Sequence, residues 1–335
     1  MKSLFYLIKV AILGNMRIVF SHISAFELAR ASCSPFLHRQ PAPHTFLLPD
    51  RAPSAIEEAE RLAGSLSEPC HFLASRNTRP RSPQRIVCHS VRDGQLPRGS
   101  ILRVGAAPDD AFACSPELFF PQIATTAQRI EVVRVGFELC GTYAISRAHP
   151  EGFYKRDPLT TVARMQAFLE RVPGLHGAKA ARWALQYVLP NSASPRETTV
   201  AMLLRLPCAF GGRGAETPSL NHEVTVTRRL GRTKETKTYR IDLYWPRAKL
   251  GLEYDSDLKH TGPDRIAHDA RRRNDLESIG ITMLTATNRQ VKSLWEFNKL
   301  ADVIAGQLGK QVRPRCKDYA ARQRELHARL MRSGL

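Results

Sequence analysis

The sequence predicts an α/β protein: a mixed sheet flanked by helices in the C-terminal half, preceded by a mostly helical α+β region. Three observations predict it. Residues 239–260, YRIDLYWPRAKLGLEYDSDLKH, carry two alternating apolar runs around a Pro-containing break, the pattern of a β-hairpin. A helix start at Ser194-Pro195 precedes the hairpin, and a helical segment, a strand and a further helix follow it. Residues 115–187 hold four segments with helix start and stop signals.

With 335 residues the chain can hold two or three domains with real cores. The opening run, MKSLFYLIKVAILGNMRIVF, is interrupted by Lys9 and Arg17 and lacks a nearby small-residue cleavage site. Residues 1–17 are therefore read as a leader or non-native start, with a signal peptide as the alternative. Residues 18–30 predict a short strand and a helix capped by Ser21 or Ser24, with Phe26, Leu28 and Ala29 in a core. Residues 33–53 are rich in Pro and His and predict a loop. Residues 54–66 predict an amphipathic helix with Ser54 as N-cap, and residues 76–84 a basic linker. Short strands are expected at 85–89 and 100–104, joined by a turn around Gly94 and Gly99.

Ser115-Pro116-Glu117 predicts a helix start, with Ser115 as cap, Pro116 at the first helical position and Glu117 facing the dipole. A second helix over 129–139 supplies Val132, Val133, Val135 and Phe137 and ends at Gly141. Further helices are expected at 160–172 and 178–187. The boundary between an α+β region over 18–190 and a second domain over 191–310 falls near residues 192–195. The second domain opens with a helix to Leu206 that carries Glu197 in its first turn. Then come a strand over 222–229, a charged connector over 231–237, and the hairpin. A helix over 263–278 ends at Gly280, a buried apolar strand spans 281–287, and a core helix spans 290–308. Residues 311–335 are a basic helical tail that either packs or is solvated.

The formal net charge is +19. Such an excess of cations favours polyanionic partners, nucleic acid before an anionic membrane. A hydrophobic content of 43% argues against disorder. The seven cysteines are scattered and lack metal-ligand spacing, as expected of reduced thiols in the cytoplasm.

A hairpin turn centred on Arg247 and Ala248 places Asp242 opposite Glu253 and Arg240 opposite Asp255. Directly opposed side chains lie roughly 5 Å apart, where like charges repel. A divalent cation resolves the conflict, because hard carboxylate oxygens at this spacing can share Mg²⁺ or Mn²⁺. The competing reading is a hairpin with a solvated polar face. On either reading Ile241, Leu243, Leu250 and Leu252 fill a core on the other face.

On these pieces, residues 194–308 resemble the PD-(D/E)XK nuclease superfamily, in particular its very-short-patch-repair endonuclease branch. The matching stretches are SPRET around Glu197, YRIDLYWP around Asp242, LGLEYDSDLKH around Glu253, DARRRNDLESIGI and TMLTAT. Residues 85–190 resemble, more weakly, the AbiEi-type antitoxin domains of type IV toxin–antitoxin systems, through LPRGSILRVG, FACSPELFFPQIA and GLHGAKAARWAL. The resemblance implies a restriction-endonuclease-like fold in which Asp242 and Glu253 ligate Mg²⁺ and Glu197 orients or completes the metal shell. Asp255 stands where the superfamily usually has Lys. Asp255 and His260 fit the variant of the related branch, with Ser256 in place of its Gly. Lys259 or His260 is then a candidate to orient water or protonate the leaving oxygen, and Asp255 either touches metal or is neutralised by Arg240. Arg271, Arg272 and Arg273 are candidate phosphate contacts, at most two of which share a helical face. Arg273 is alternatively a partner of the acids.

Three functions follow. The first is a metal-dependent DNA endonuclease of defence, repair or a toxin–antitoxin-like setting. The second is a nucleic-acid-binding regulator with a degenerate nuclease domain. The third is an interaction module whose acids only solvate a hairpin. DNA is the expected partner, with RNA left open, no membrane, and a homodimer allowed.

Overall fold

The computed structural model describes residues 18–31, 33–43, 45–50, 66–67, 69–75, 85–91, 94–104, 111–230, 233–255, 263–309 and 316–332. The leader, the linker over 76–84 and all but the last residue of the helix expected at 54–66 lie outside them. The chain is mixed α/β and divides into two compact units, residues 1–146 with 154–188, and residues 147–153 with 189–335. No helix among the described residues is long and apolar enough to cross a membrane.

The first unit is built on a five-stranded mixed sheet: β1 (Ile18–Phe20), β2 (Cys70–Ala74), β3 (Ile86–Ser90), β4 (Ile101–Arg103) and β5 (Ala111–Cys114), ordered β3-β2-β1-β5-β4. Three of its strands are expected from sequence: β1, and β3 and β4 at the opposite edges. The intervening β2, β1 and β5 pair with each other, β1 antiparallel to β2 and parallel to β5. Around the sheet lie α1 (His22–Ala31), α2 (Ser34–His38), α3 (Pro116–Ile123), α4 (Arg129–Cys140), α5 (Val162–Arg171) and α6 (Ala178–Leu185). Strands β6 (Tyr143–Ile145) and β7 (Phe153–Lys155) form a separate ribbon.

Three local expectations change. The segment read as a loop contains α2, because Pro35 is preorganised for a helix start. Ser115 precedes α3 but its side chain makes no cap bond; its carbonyl accepts from Leu118 and Phe119 N–H instead. Glu117 is buried, where its carboxylate accepts from Arg39 at 2.7 Å and from the Thr160 hydroxyl at 2.6 Å. Those partners hold its carboxyl below the usual range even though burial pushes the other way.

The second unit follows the predicted order: α7 (Pro195–Arg205), β8 (Ser219–Leu230), β9 (Thr233–Trp245), β10 (Leu250–Asp255), α8 (Pro263–Ser278), β11 (Thr282–Thr287), α9 (Asn288–Lys292), α10 (Leu294–Gln307) and α11 (Tyr319–Arg332). Its sheet runs β11-β10-β9-β8, with β8, β9 and β10 successively antiparallel and β11 parallel to β10. A parallel neighbour needs a crossover, and α8 supplies it.

The charged residues 233–237 belong to β9 and pair with the end of β8. Their Thr, Lys and Glu side chains are exposed from Lys234 to Thr238, so charge alone did not disclose a strand. The apolar run 281–287 is also not the buried strand expected. It forms the sheet's edge, and within β11 only Ala286 is buried. The helix expected over 290–308 is two helices, because Ser293 interrupts it and caps α10 by accepting from Glu296 N–H.

The terminal helix α11 packs. Leu326 and Leu330 are buried, Arg322 donates to the Ala209 carbonyl at 2.8 Å, and a Cβ on Gly211 would lie 2.3 Å from the Arg322 carbonyl oxygen. With φ of 85°, Gly211 is needed both for that conformation and for the close approach.

Candidate functional site: a carboxylate cluster on the hairpin

The β9–β10 hairpin has the expected register. Trp245 pairs with Leu250, Tyr244 with Gly251 and Leu243 with Leu252, which leaves residues 246–249 as the turn. Its apolar payload is also as expected: Ile241, Leu243, Leu250 and Leu252 are all fully buried.

They do not share one face. The β8–β9 ladder skips Asn221 and Asp242, and Asn221 takes a left-handed φ of 47°. Ile241 and Tyr244, three residues apart, join one cluster with Val226, Leu276 and Ile281, although strict alternation would separate them. The break occurs at the residue that sequence reasoning placed at the centre of the site.

Asp242 at this break accepts the Tyr254 N–H on β10 at 2.8 Å, so the carboxylate is clamped across the hairpin. Glu197 approaches from α7. Ser194 caps that helix by accepting from Glu197 N–H at 3.1 Å, and its hydroxyl donates back to the Glu197 carboxylate at 2.9 Å. The same carboxylate accepts from Ala193 N–H at 2.8 Å and from the Asn221 side chain at 2.6 Å. Asn221 thus ties Glu197 to the strand beside Asp242.

Glu253 on β10 is held from α8 by Arg272, which also donates to the Arg240 carbonyl. Burial first, and the Asp242 charge second, push the Glu197 carboxyl up to about 7. The same two causes in the same order push Glu253 up to about 7, outweighing the Arg272 guanidinium. Both acids therefore feel the charge of Asp242.

Several candidates fall elsewhere. Arg240 does not neutralise Asp255; it turns outward and pairs with Glu223 on β8 at 2.8 Å. Asp255 lies exposed at the end of β10, paired along the backbone with Thr287. The arginine that reaches the acids is Arg272 rather than Arg273, and both Arg271 and Arg273 are exposed. One turn of helix explains the choice: Arg272 is four residues before Leu276 and seven before Ile279, on the face that packs against the sheet. That spacing was legible in the sequence. Lys259 and His260 lie outside the described residues.

The donor set suits a hard divalent cation, since two repelling carboxylates, Asp242 and Glu253, are what Mg²⁺ or Mn²⁺ takes. As a set of three, though, the acids do not close on one point. Among the described residues, the group that brings three ligand atoms within 4.8 Å of one another is His22, His71 and His89 in the first unit. Glu197 is engaged by the α7 N-terminus and Asn221, and Glu253 by Arg272, which keeps the three carboxylates apart.

Comparison with known proteins adds nothing to this geometry: no family model, no curated protein and no solved structure matches the chain.

Proposed function

We propose that the second unit is a metal-dependent endonuclease that hydrolyses DNA phosphodiester bonds. The observation that carries this reading is the position of Asp242, which sits at a ladder break and raises the proton affinity of both Glu197 and Glu253. A fold gains nothing from holding Glu197 and Glu253 within reach of the Asp242 charge, whereas a cation-binding site uses such acids. The order α7, β8, β9, β10, α8, β11 around a mixed sheet supports a restriction-endonuclease-like fold for this unit, with the acids on the elements where the PD-(D/E)XK resemblance expects them. The net charge of +19 supports a polyanionic substrate.

On this reading Asp242 and Glu253 hold Mg²⁺ or Mn²⁺, and Glu197 orients the cluster through Asn221. When bound, the cation would neutralise charge at the phosphate and acidify a water. Arg272 keeps Glu253 aimed at the site while its carboxyl is without a cation.

A second reading rests on the same ion pair. Arg272 already engages the Glu253 carboxylate, and Asp255 occupies the position where a catalytic Lys is usual, which favours a nucleic-acid-binding regulator that no longer cuts. Plasmid nicking with Mg²⁺ or Mn²⁺ decides between them, run on wild type, Asp242→Ala and Glu253→Ala with calorimetric metal binding on the same samples. The endonuclease reading expects nicking and metal binding in wild type and neither in the variants. DNA binding without nicking or metal binding in wild type establishes the regulator.

A further inference from the structure

The first unit carries a second cluster of ligating side chains with a different chemistry. Just after β1, the Ser21 N–H donates to the His71 carbonyl at 2.9 Å, which fastens the entry to α1 against β2. The next residue, His22, takes a left-handed φ of 51° and is buried. On the neighbouring pair, β2 and β3 run parallel with His71 opposite Val87 and Leu73 opposite His89. His71 and His89 are therefore two residues apart in register and share one face of the sheet.

These placements converge. His71 Nδ1 lies 2.8 Å from His89 Nε2, the His22 ring stacks on the His89 ring with centroids 3.5 Å apart, and the ligand nitrogens of all three lie within 4.8 Å of one another. The surroundings fix the backbone at His22 and His71, and Ser21 holds the His22 ring. Ser21 Oγ is 3.1 Å from His22 Nδ1, Ser24 Oγ accepts the His71 N–H at 2.9 Å, and Gln122 Oε1 accepts the His22 N–H at 3.1 Å. With His22 Nδ1 donating to Ser21, its Nε2 carries the free lone pair, the arrangement by which an outer partner sets the tautomer of a metal-ligating histidine.

We propose that His22, His71 and His89 form a divalent transition-metal site, for which Zn²⁺ is the best fit. Neutral imidazoles suit zinc and its neighbours in the first transition row, not the hard cations that carboxylates take. A Zn–N distance of about 2.0–2.1 Å places tetrahedral nitrogens roughly 3.4 Å apart, so seating the ion turns the His22 ring off the His89 face and opens the His71–His89 contact. The hydrogen now shared between those rings moves to the outer nitrogen of one of them, so both keep a lone pair for the metal. Burial pushes all three rings below the usual imidazole range. The other titratable groups that act on the cluster are His176, ahead of α6, and Glu27, on α1. The fourth position is left for water. The ion would join the start of α1 to two strands of the sheet.

The test uses the full chain, stripped with chelator and titrated with Zn²⁺ and Co²⁺ by calorimetry, with Co²⁺ absorption as the spectroscopic readout. With excess Mg²⁺ present to occupy the carboxylate cluster, the expected result is about one equivalent bound with a tetrahedral Co²⁺ spectrum, weakened at least about 10-fold in His71→Gln and in His89→Gln, the least effect reported for altering a metal site's support. Zn²⁺ should also raise the thermal midpoint of wild type and not that of His71→Gln. Zinc-edge X-ray absorption on wild type needs no variant to fold. A shell containing three imidazoles supports the site. Absence of a bound equivalent, a shell of oxygen or sulfur only, or undiminished binding in folded His71→Gln and His89→Gln overturns it and leaves a stack of hydrogen-bonded imidazoles.

Discussion

Arg272 on α8 grips Glu253 on β10 through both of its terminal guanidinium nitrogens. The pair is partly buried on both sides, and the same arginine donates to the Arg240 carbonyl, so it also pins the helix to β9. A planar fork that meets a carboxylate and a carbonyl together fixes geometry in a way a lysine could not. The first prediction concerns this pair. Replacing Arg272 by Gln should cost about 1–3 kcal/mol in urea unfolding without metal, the range for hydrogen bonds to charged groups. If Mg²⁺ binds Glu253, the cation should recover part of that loss. An equal loss with and without Mg²⁺ would place the cation elsewhere.

The second prediction is a pH dependence with a definite sign. Glu197 and Glu253 have folded values near 7, against 4.5 for the ordinary carboxyl. Between about 4.5 and 7 the folded state holds protons that the unfolded state has released, so this contribution to stability is full below 4.5 and is lost as pH rises through 7. Asp242→Asn removes the charge that ranks second among the causes while keeping an acceptor for the Tyr254 N–H. The variant should show a shallower fall in stability between pH 4.5 and 8 and should exceed wild type at pH 8, each unit of pKa being worth about 1.4 kcal/mol. Identical slopes in the two proteins would show that the acids do not interact.

A third prediction separates the two jobs of Glu197. Its carboxylate accepts at the N-terminus of α7 and from Asn221, so Glu197→Ala leaves buried donors unpaired and should destabilise by about 1–3 kcal/mol. Glu197→Gln keeps an acceptor and should cost less than about half of that. If Glu197 also serves the cation, the Gln variant should bind Mg²⁺ more weakly than wild type while staying folded. Equal metal affinity would confine Glu197 to the helix start.

How much of this was legible in the sequence differs between the two units. The hairpin was legible because its turn lies between long alternating runs, so the Pro246 break fixed the register that brings Asp242 toward Glu253. The exposure of the last strand was not. TMLTAT reads as apolar, yet its place at the edge depends on β10 taking it as a parallel neighbour through α8, which no local pattern states. The turn-over at Asn221 and Asp242 broke strict alternation for the same reason: both strands leave the ladder together, and only the pairing reveals it. In the first unit, strands of three to five residues are too short to show a period, and β1 finds β5 far along the chain. The histidine cluster shares that illegibility, since His22, His71 and His89 have no metal-ligand spacing and meet only through the sheet order β3-β2-β1.

The last prediction concerns the exposed arginines. Arg271 and Arg273 flank the residue that holds Glu253, and both project into solvent from α8. If α8 lies along a nucleic-acid backbone, one of them contributes a phosphate contact without reading sequence. Affinity for a DNA duplex should then fall steeply with salt, and Arg271→Ala or Arg273→Ala should each reduce the slope of log K against log salt by about 1 if it meets a phosphate. Both side chains cannot point the same way, being two positions apart on a helix and so about 200° apart around it. One substitution should therefore change the slope and the other should leave it unaltered, which would identify the face of α8 that meets DNA. Two unaltered slopes would move the interface off α8, and the charge of +19 would have to act through other elements.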